Sequence, residues 1–328
     1  MRLHLAKRTG ALLLLFAGLL GLYVGVARPW FRTWGTTPEE RTRSMPGDEV
    51  LPGATDQETR AITVAAPADR VFAWLAQTGQ DRGGFFSYEL LEDLVGCEME
   101  NLDHLDPSLQ HWQIGDKLWM YPAHKLNGVG HAPLVAMVPG RALTFGTRQI
   151  GTSLAQPPDA TWTFYVEPTA SPGASRLYMR GRAMGGIGLG AQIFDDMVFE
   201  PMHFAMERRM MEVVKARAEG RPVTRAREDI MVGIWFAVAI AGVAAAVAVL
   251  IGRQTGRRLG VFLAAGLLFQ LLTFVQPTPF IGVPLTLALL AAGWMPRRRW
   301  QSLIEKLSLL TRTSSGIEAG PLAGKGAI

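Results

Sequence analysis

The sequence predicts an α+β domain flanked by apolar helices, and three observations lead to this prediction. Two short amphipathic helical patterns are followed by segments in which apolar and polar residues alternate, and a long helical pattern comes last. On both sides of these segments lie long runs without charged residues. An apolar content of 48% and a mean hydropathy of +0.15 are high for a purely soluble protein.

Each element of the domain has a local signal. Pro67 suits the first turn of a helix, where its missing N–H costs nothing. Pro139–Gly140 and Ser171–Gly173 are turn signals between alternating segments, and Pro201 is expected to kink or interrupt the last helix. The predicted helices are Ala68–Gln77, Ser87–Val95 and Ala191–Ala218. The predicted strands are Thr59–Ala65, Lys117–Tyr121, His131–Val138, Arg141–Thr147, Ala160–Glu167 and Arg176–Met184.

Four uncharged runs predict about four transmembrane helices, and they are Ala11–Ala27, Ile230–Gly252, Leu259–Val275 and Pro279–Met295. The second run is long enough to cross a bilayer. The third and fourth runs are shorter, and only Gln276–Thr278 separates them, so we expect a hairpin of two membrane helices. The alternative is a re-entrant pair that does not cross the membrane.

The first apolar run resembles both a membrane anchor and a secretory signal. Its basic start and small residues fit a signal, but Pro29 directly after the candidate cleavage site disfavours cleavage. Ala17, Gly21 and Gly25 fall four residues apart, which lets membrane helices approach closely. We therefore expect a retained anchor.

Basic residues predict the orientation of these helices, because cytoplasmic loops carry an excess of lysine and arginine. The excess lies at Arg2, Lys7, Arg8, Arg253, Arg257, Arg258, Arg297, Arg298 and Arg299. These positions share one side if all four runs cross. We expect an integral protein of the cell membrane with its domain on the extracytoplasmic side. Arginines that flank the domain compete with this signal, but charges attached to a long domain count for less.

The stretch from Trp74 to Gly96, WLAQTGQDRGGFFSYELLEDLVG, joins two short helices through the corner Arg82-Gly83-Gly84. Such helices have little core of their own and must pack on the strands that follow. This order resembles the START-like (SRPBCC) superfamily, which includes polyketide cyclase-like and lipid-transfer-like proteins, over residues 58–220. The resemblance implies a helix-grip fold, in which an apolar ligand lies between a curved antiparallel sheet and a long C-terminal helix.

The resemblance implies that the protein binds a hydrophobic small molecule or lipid beside the membrane. One alternative is an enzyme of the polyketide cyclase or dehydratase kind, and another is a sensor or scaffold without a ligand. The sequence contains no recognisable catalytic dyad, which favours binding over catalysis. That superfamily includes enzymes, carriers and receptors, so the fold does not choose between them.

Composition and motifs argue against other partners. The net charge of +5 comes mostly from residues beside the apolar runs, and no basic stripe with interleaved aromatics predicts nucleic-acid binding. The histidines form no close ligand pair, so no metal is expected. The run GGIGLG at 185–190 lacks the acidic partner of a dinucleotide site, so no cofactor is expected. Cys97 cannot form an internal disulfide and is interpreted as a packed residue.

The predicted ligand-binding residues are polar or aromatic groups that could converge on an apolar cavity. Tyr88 and Glu92 share a helix face, and Arg180 and Arg182 share a strand face. The alternatives are an Arg82–Glu92 ion pair, an outward face for the two strand arginines, and ordinary core packing for the tryptophans. The candidate ligand-binding residues are Tyr88, Glu92, Trp119, Tyr121, Trp162, Arg180 and His203, and the structural corner is Arg82, Gly83 and Gly84.

We therefore divide the chain into six parts. They are an N-terminal transmembrane anchor at 1–30, a linker at 31–57, the START-like domain at 58–220, a linker at 221–229, a three-helix transmembrane region at 230–296, and a basic, mostly disordered tail at 297–328.

Overall fold

The computed structural model describes residues 2–149, 151, 153, 157–296, 299 and 302, so nearly all of the predicted tail lies outside the described residues. The α+β class is confirmed. A six-stranded antiparallel sheet has the strand order β1-β6-β5-β4-β3-β2. The strands are Asp56–Val64 (β1), Lys117–Trp119 (β2), His131–Val138 (β3), Ala142–Thr147 (β4), Ala160–Pro168 (β5) and Ser175–Ala183 (β6).

The helices surround this sheet and extend beyond it. They are Arg2–Leu22 (α1), Arg28–Arg32 (α2), Pro38–Thr42 (α3), Ala68–Ala76 (α4), Glu89–Leu94 (α5), Leu189–Phe194 (α6), Glu200–Ala218 (α7), Arg225–Leu250 (α8), Thr255–Phe274 (α9) and Pro279–Trp294 (α10). A π turn, Tyr23–Ala27, joins α1 to α2, and another, Asp195–Phe199, joins α6 to α7. The second π turn is the interruption expected at Pro201, whose ring does not fit a regular preceding turn.

One face of the sheet packs on α4 and the C-terminal half of α7. Alternate residues of a strand face opposite sides, and Phe164 of β5 and Leu177 of β6 lie on this inner side with Met211 and Val214 of α7. All four side chains are buried. The resemblance implies a ligand between the sheet and the long C-terminal helix, but close-packed side chains fill that space along the C-terminal half of α7.

The predicted linker at 31–57 covers the other face of the sheet. Thr37 and Glu40 form a capping box that starts α3. The Glu40 carboxylate accepts hydrogen bonds from Arg176 Nε at 2.9 Å and from the Tyr178 hydroxyl at 2.8 Å. Burial alone would raise the pKa of Glu40, but these hydrogen bonds and one from the Thr37 backbone lower the pKa to about 2. The segment is therefore a fixed part of the domain.

Three helices are long and apolar enough to span a membrane: Leu3–Arg32, Arg225–Leu250 and Thr255–Phe274. The fourth predicted span, α10, is apolar but has only 16 residues, with Pro284 inside it. The π turn Tyr23–Ala27 connects α1 directly to α2, so the first apolar helix extends to Arg32. Four crossings therefore remain a prediction, while three helices of sufficient length and composition are present.

The apolar helices have one end beside the domain and one end away from it. Arg8 of α1 lies next to Gly252, and Arg257 Nε donates to the Ala292 carbonyl at 2.8 Å. These contacts bring the start of α1, the α8–α9 connection and the end of α10 to the end away from the domain. The turn between α9 and α10 lies at the other end, where Gln276 contacts the domain.

Candidate functional site

A buried ionic cluster lies between the sheet and the middle of the last domain helix. Arg60 Nη1 donates to Glu207 Oε1 at 2.7 Å, and Arg60 Nη2 donates to Glu58 Oε2 at 2.5 Å. Trp162 Nε1 donates to Glu207 Oε2 at 2.7 Å. Glu58 and Arg60 are two residues apart on β1, so both face α7. The sequence therefore places a strand ion pair and a helix carboxylate in the interior of the domain.

His203 lies one helical turn before Glu207 and forms the half-buried edge of this cluster. Its Nε2 is 4.0 Å from Glu207 Oε2, and its Nδ1 is 3.9 Å from Glu58 Oε1. Both distances exceed a hydrogen bond. The imidazole stacks on Phe199 with centroids 5.5 Å apart and meets the Trp162 ring edge at 5.3 Å. Packing against these two aromatic rings therefore holds the histidine, with both carboxylates just beyond hydrogen-bond distance.

The cluster keeps its charges although it is removed from water. Burial alone would raise the pKa of Glu207, but the nearby Arg60 and His203 and the hydrogen bonds from Arg60 and Trp162 keep that pKa below its usual value. The side chains of Arg60 and Glu207 are each only 1% exposed. A buried pair of this kind tolerates loss of both partners better than loss of one.

The charge network continues to the end of the first apolar helix. Arg28 contacts Glu200 at 2.6 Å and Asp196 at 2.8 Å. Arg32 forms ion pairs with Glu200 and, at 2.5 Å, with Asp56. The two π turns also meet here, since the Tyr23 hydroxyl donates to the Asp196 carbonyl. The end of α1 and the start of α7 are thus joined by charge as well as by packing.

An open cavity of about 400 Å³ lies where β4 and β6 end, β5 begins and α6 starts. We call this end of the strands the outer end of the sheet. Along the segment Leu189–Ala218, the cavity lies beside the first residues, the ionic cluster beside the middle and the packed core beside the last residues. Hydrogen bonds from Gln149 hold the Asp159 carboxylate at its edge, at 2.8 and 3.2 Å. The lining residues are Gln149, Gly151, Asp159, Gly185, Gly186, Ile187, Gly188 and Ala191. None of the predicted ligand-binding residues belongs to this described lining.

Tyr88 lies at the junction between the domain and the apolar helices. Its hydroxyl donates to Gln276 Oε1 at 3.2 Å, and Gln276 Nε2 donates to the Ala205 carbonyl at 2.8 Å. The tyrosine ring meets Trp235 edge-on, with centroids 4.9 Å apart. Gln276 has φ +48°, which is rare for a residue with a side chain. Burial raises the pKa of Tyr88, so the hydroxyl stays protonated and can donate.

Glu92, one turn after Tyr88, is buried, and no lysine or arginine among the described residues forms an ion pair with it. Its Oε2 has no hydrogen-bond partner among the described residues. Burial, followed by repulsion from Glu89, Asp93 and Glu228, raises its pKa to about 8. The Arg82–Glu92 ion pair is not formed, because the Arg82 guanidinium lies 4.3 Å above the Trp112 ring and donates to the Leu109 carbonyl.

Besides Tyr88 and Glu92, three more of the predicted ligand-binding residues lie away from the ionic cluster. Arg180 faces the outer side of the sheet, where it donates to Asp48 Oδ2 at 2.7 Å and holds the linker in place. Trp119 packs against His131 at 4.8 Å, because Leu118 occupies the inward position of β2. Tyr121 donates to the Val95 carbonyl at the end of α5. Of the seven predicted residues, the structure brings only Trp162 and His203 together at the cluster.

The predicted corner requires glycine at both positions. Gly84 has φ +80°, in the left-handed region that favours glycine. A Cβ on Gly84 would lie 2.6 Å from the Glu100 carbonyl oxygen, and a Cβ on Gly83 would lie 2.8 Å from that of Gln77. Both distances are too short for any side chain, so the chain passes itself closely at this corner.

Sequence reasoning missed Glu58, Arg60, Glu207 and Gln276. Two signals were present: charges at alternate positions of a strand that otherwise turns apolar residues inward, and a glutamate four residues after His203. Gln276 has no comparable signal, because its role depends on the fold of a distant segment.

Comparison with known proteins adds little. No family model matches the chain, and no curated protein matches it. Among solved structures, a match is protein MLL2253 from Mesorhizobium loti, with 15% sequence identity, a TM-score of 0.27, and coverage of 51% of this chain and 100% of that one. So low a score carries no argument about fold or function.

Proposed function

We propose that this protein is a membrane-anchored START-like protein that binds a hydrophobic small molecule or lipid at the outer end of its sheet–helix interface. The carrying observation is that the helical segment bordering the open cavity exposes large apolar side chains. Leu189, Ile193 and Phe194 of α6 are 77%, 54% and 48% exposed, and Ala191 of the same helix lines the cavity. A rim of this kind suits an apolar ligand.

The helix-grip assignment is part of this proposal. The antiparallel strand order β1-β6-β5-β4-β3-β2 and the packing of one long helix on a single sheet face support it. The ligand is proposed to lie at the outer end because buried side chains of the sheet and of the C-terminal half of α7 fill the opposite end of the interface. Between them, the Arg60–Glu207 cluster separates the cavity from the packed core along the helix.

We further propose that all four apolar helices cross the cell membrane and that the domain lies on the extracytoplasmic side. The grouping of Arg8, Arg253, Arg257 and Arg258 at the end away from the domain supports this orientation. A cavity beside the bilayer shortens the path of a ligand taken from the membrane.

The test is lipid or small-molecule content, measured by native mass spectrometry after purification from the protein's own membranes. Ala191→Trp should fill the cavity and reduce the bound apolar mass without changing the thermal unfolding temperature. The matched control is Ala170→Trp, the same substitution in the exposed turn at the other end of the β5–β6 hairpin. Equal ligand content in both variants would contradict the proposed location.

A sensor or scaffold function is the second candidate, and the junction favours it. The Phe31 ring stacks on the rings of Phe204 and Phe274, with centroid distances of 4.9 Å and 5.2 Å. The Tyr88–Gln276 hydrogen bond lies beside these rings. The domain is thus firmly docked on the apolar helices, as a transmitting element requires. Wild-type protein without any bound apolar mass would favour this candidate.

A further inference from the structure

The segment from Leu189 to Met202, which comprises α6, the π turn and the start of α7, is apolar on its outward side. No lysine or arginine occurs in it. Water-exposed helices normally show the opposite arrangement, with polar residues outward. Its exposed apolar residues, with their exposed fractions, are Leu189 77%, Ile193 54%, Phe194 48%, Val198 47%, Phe199 38% and Met202 48%.

Two of the three acidic residues of this segment turn toward the protein and pair with arginines. Asp196 and Glu200 form ion pairs with Arg28, and Glu200 forms a second ion pair with Arg32. Gln192 Nε2 donates to Asp196 Oδ1 at 2.7 Å. The segment therefore pairs two of its three carboxylates with arginines and leaves large apolar side chains exposed, which is costly beside water.

The π turn brings the outward residues into one stripe. Ile193 and Val198 are five residues apart across the turn, and Val198 and Met202 are four apart. A π turn inserts one residue, so a five-residue spacing there continues the same helix face. The outward apolar residues therefore form one continuous stripe, which can lie along a flat apolar surface.

The end of the first apolar helix fixes the level of this stripe. Tyr23 and Arg28 bind Asp196 directly, so the segment lies beside the last turns of the span Leu3–Arg32. Val26 and Trp30 on those turns are 61% and 42% exposed. Tryptophan is typical of the boundary between hydrocarbon and head groups. A bilayer that surrounds the helix therefore reaches the stripe as well.

We propose that the Leu189–Met202 stripe is inserted in the bilayer interface as a second, non-spanning membrane contact. The inference rests on the proposed function in one respect, that Leu3–Arg32 crosses a membrane. It deepens that function by naming the ligand source: a lipid of the same bilayer, since Gly188 and Ala191 line the open cavity beside the stripe.

The experiment uses the full chain in phosphatidylcholine–phosphatidylglycerol nanodiscs, with Cys97→Ala removing the natural thiol. Ile193→Cys and Val198→Cys are each labelled with a nitrobenzoxadiazole fluorophore, and quenching by lipids that carry a shallow doxyl group is measured. Val24→Cys on the spanning helix is the membrane control, and Ser171→Cys in an exposed turn is the aqueous control. We expect quenching at 193 and 198 that approaches the Val24 value and exceeds the Ser171 value several-fold.

The outcomes separate the two proposals. Quenching at Val24 but only the Ser171 level at 193 and 198 overturns the inserted stripe and leaves the span intact. No quenching at Val24 overturns the span and, with it, both proposals. Blue-shifted fluorescence at 193 and 198 without lipid quenching also overturns the inference, because the stripe is then covered by protein.

Discussion

The two halves of the last domain helix solve the same burial problem in opposite ways. From Met210 to Ala218 the helix turns apolar side chains onto the sheet, as water demands. From Leu189 to Glu207 it turns carboxylates inward and exposes large apolar side chains as far as Met202, while Phe204 stays buried. The C-terminal half has the arrangement that is stable in water, with its apolar side chains buried against the sheet. The exposed apolar side chains of the N-terminal half suit a non-aqueous neighbour, and this contrast is the basis of the proposed membrane contact and ligand site.

The largest effect should come from breaking the inward charges of the N-terminal half. Glu207→Met removes one of the two carboxylates that pair with the buried Arg60 and leaves Glu58 as the other, which should cost about 3 kcal/mol of folding free energy. The double variant Arg60→Met/Glu207→Met should recover much of this loss, because the pair tolerates joint replacement. Thermal unfolding in detergent, followed by tryptophan fluorescence, measures both. A single variant as stable as wild type would mean that water reaches the pair.

Truncating one apolar residue in each half sharpens the comparison. Met211→Ala removes a fully buried side chain and should cost about 2–5 kcal/mol. Val198→Ala removes an exposed one and should change stability in detergent by less than about 0.5 kcal/mol. Equal losses in the two variants would show that the outward face is packed against protein.

Glu92 gives a smaller, pH-dependent effect outside both halves. Because its pKa is raised from 4.5 to about 8 in the folded protein, its contribution to stability is fully present below pH 4.5 and is lost as the pH rises through 8. Glu92→Gln should therefore stabilise the protein by on the order of 2 kcal/mol at pH 8.5 and by little at pH 4.5. The control Glu98→Gln replaces an exposed carboxylate that pairs with Lys125 at 2.9 Å and should not stabilise. A pH-independent effect of Glu92→Gln would show that the carboxyl is solvated.

The sequence predicted local features well. All six strands and the turns at Pro139–Gly140 and Ser171–Gly173 depend on a few neighbouring residues, and each was placed within a few positions. The three long apolar helices follow from composition alone. The domain boundaries stay predictions.

The site was harder to predict because it depends on distant pairs. Arg60 and Glu207 are separated by 147 positions in the chain, and no local pattern shows that they meet. The alternation of β6 correctly put Arg180 and Arg182 on one face, but it does not say which face meets the helix. The same ambiguity affected Trp119, whose neighbour Leu118 takes the inward position.

The contrast between the two halves can be measured directly with a phospholipid that carries a diazirine in its acyl chain. After photolysis of the full chain in nanodiscs and digestion with trypsin, the account predicts lipid adducts on the peptide Ala183–Arg208 and essentially none on Met210–Lys215. Both peptides include part of α7, and the unmodified form of each peptide provides its own reference for recovery. Adducts absent from Ala183–Arg208, while α8 peptides carry them, would contradict the central claim that the N-terminal half of this helix faces lipid.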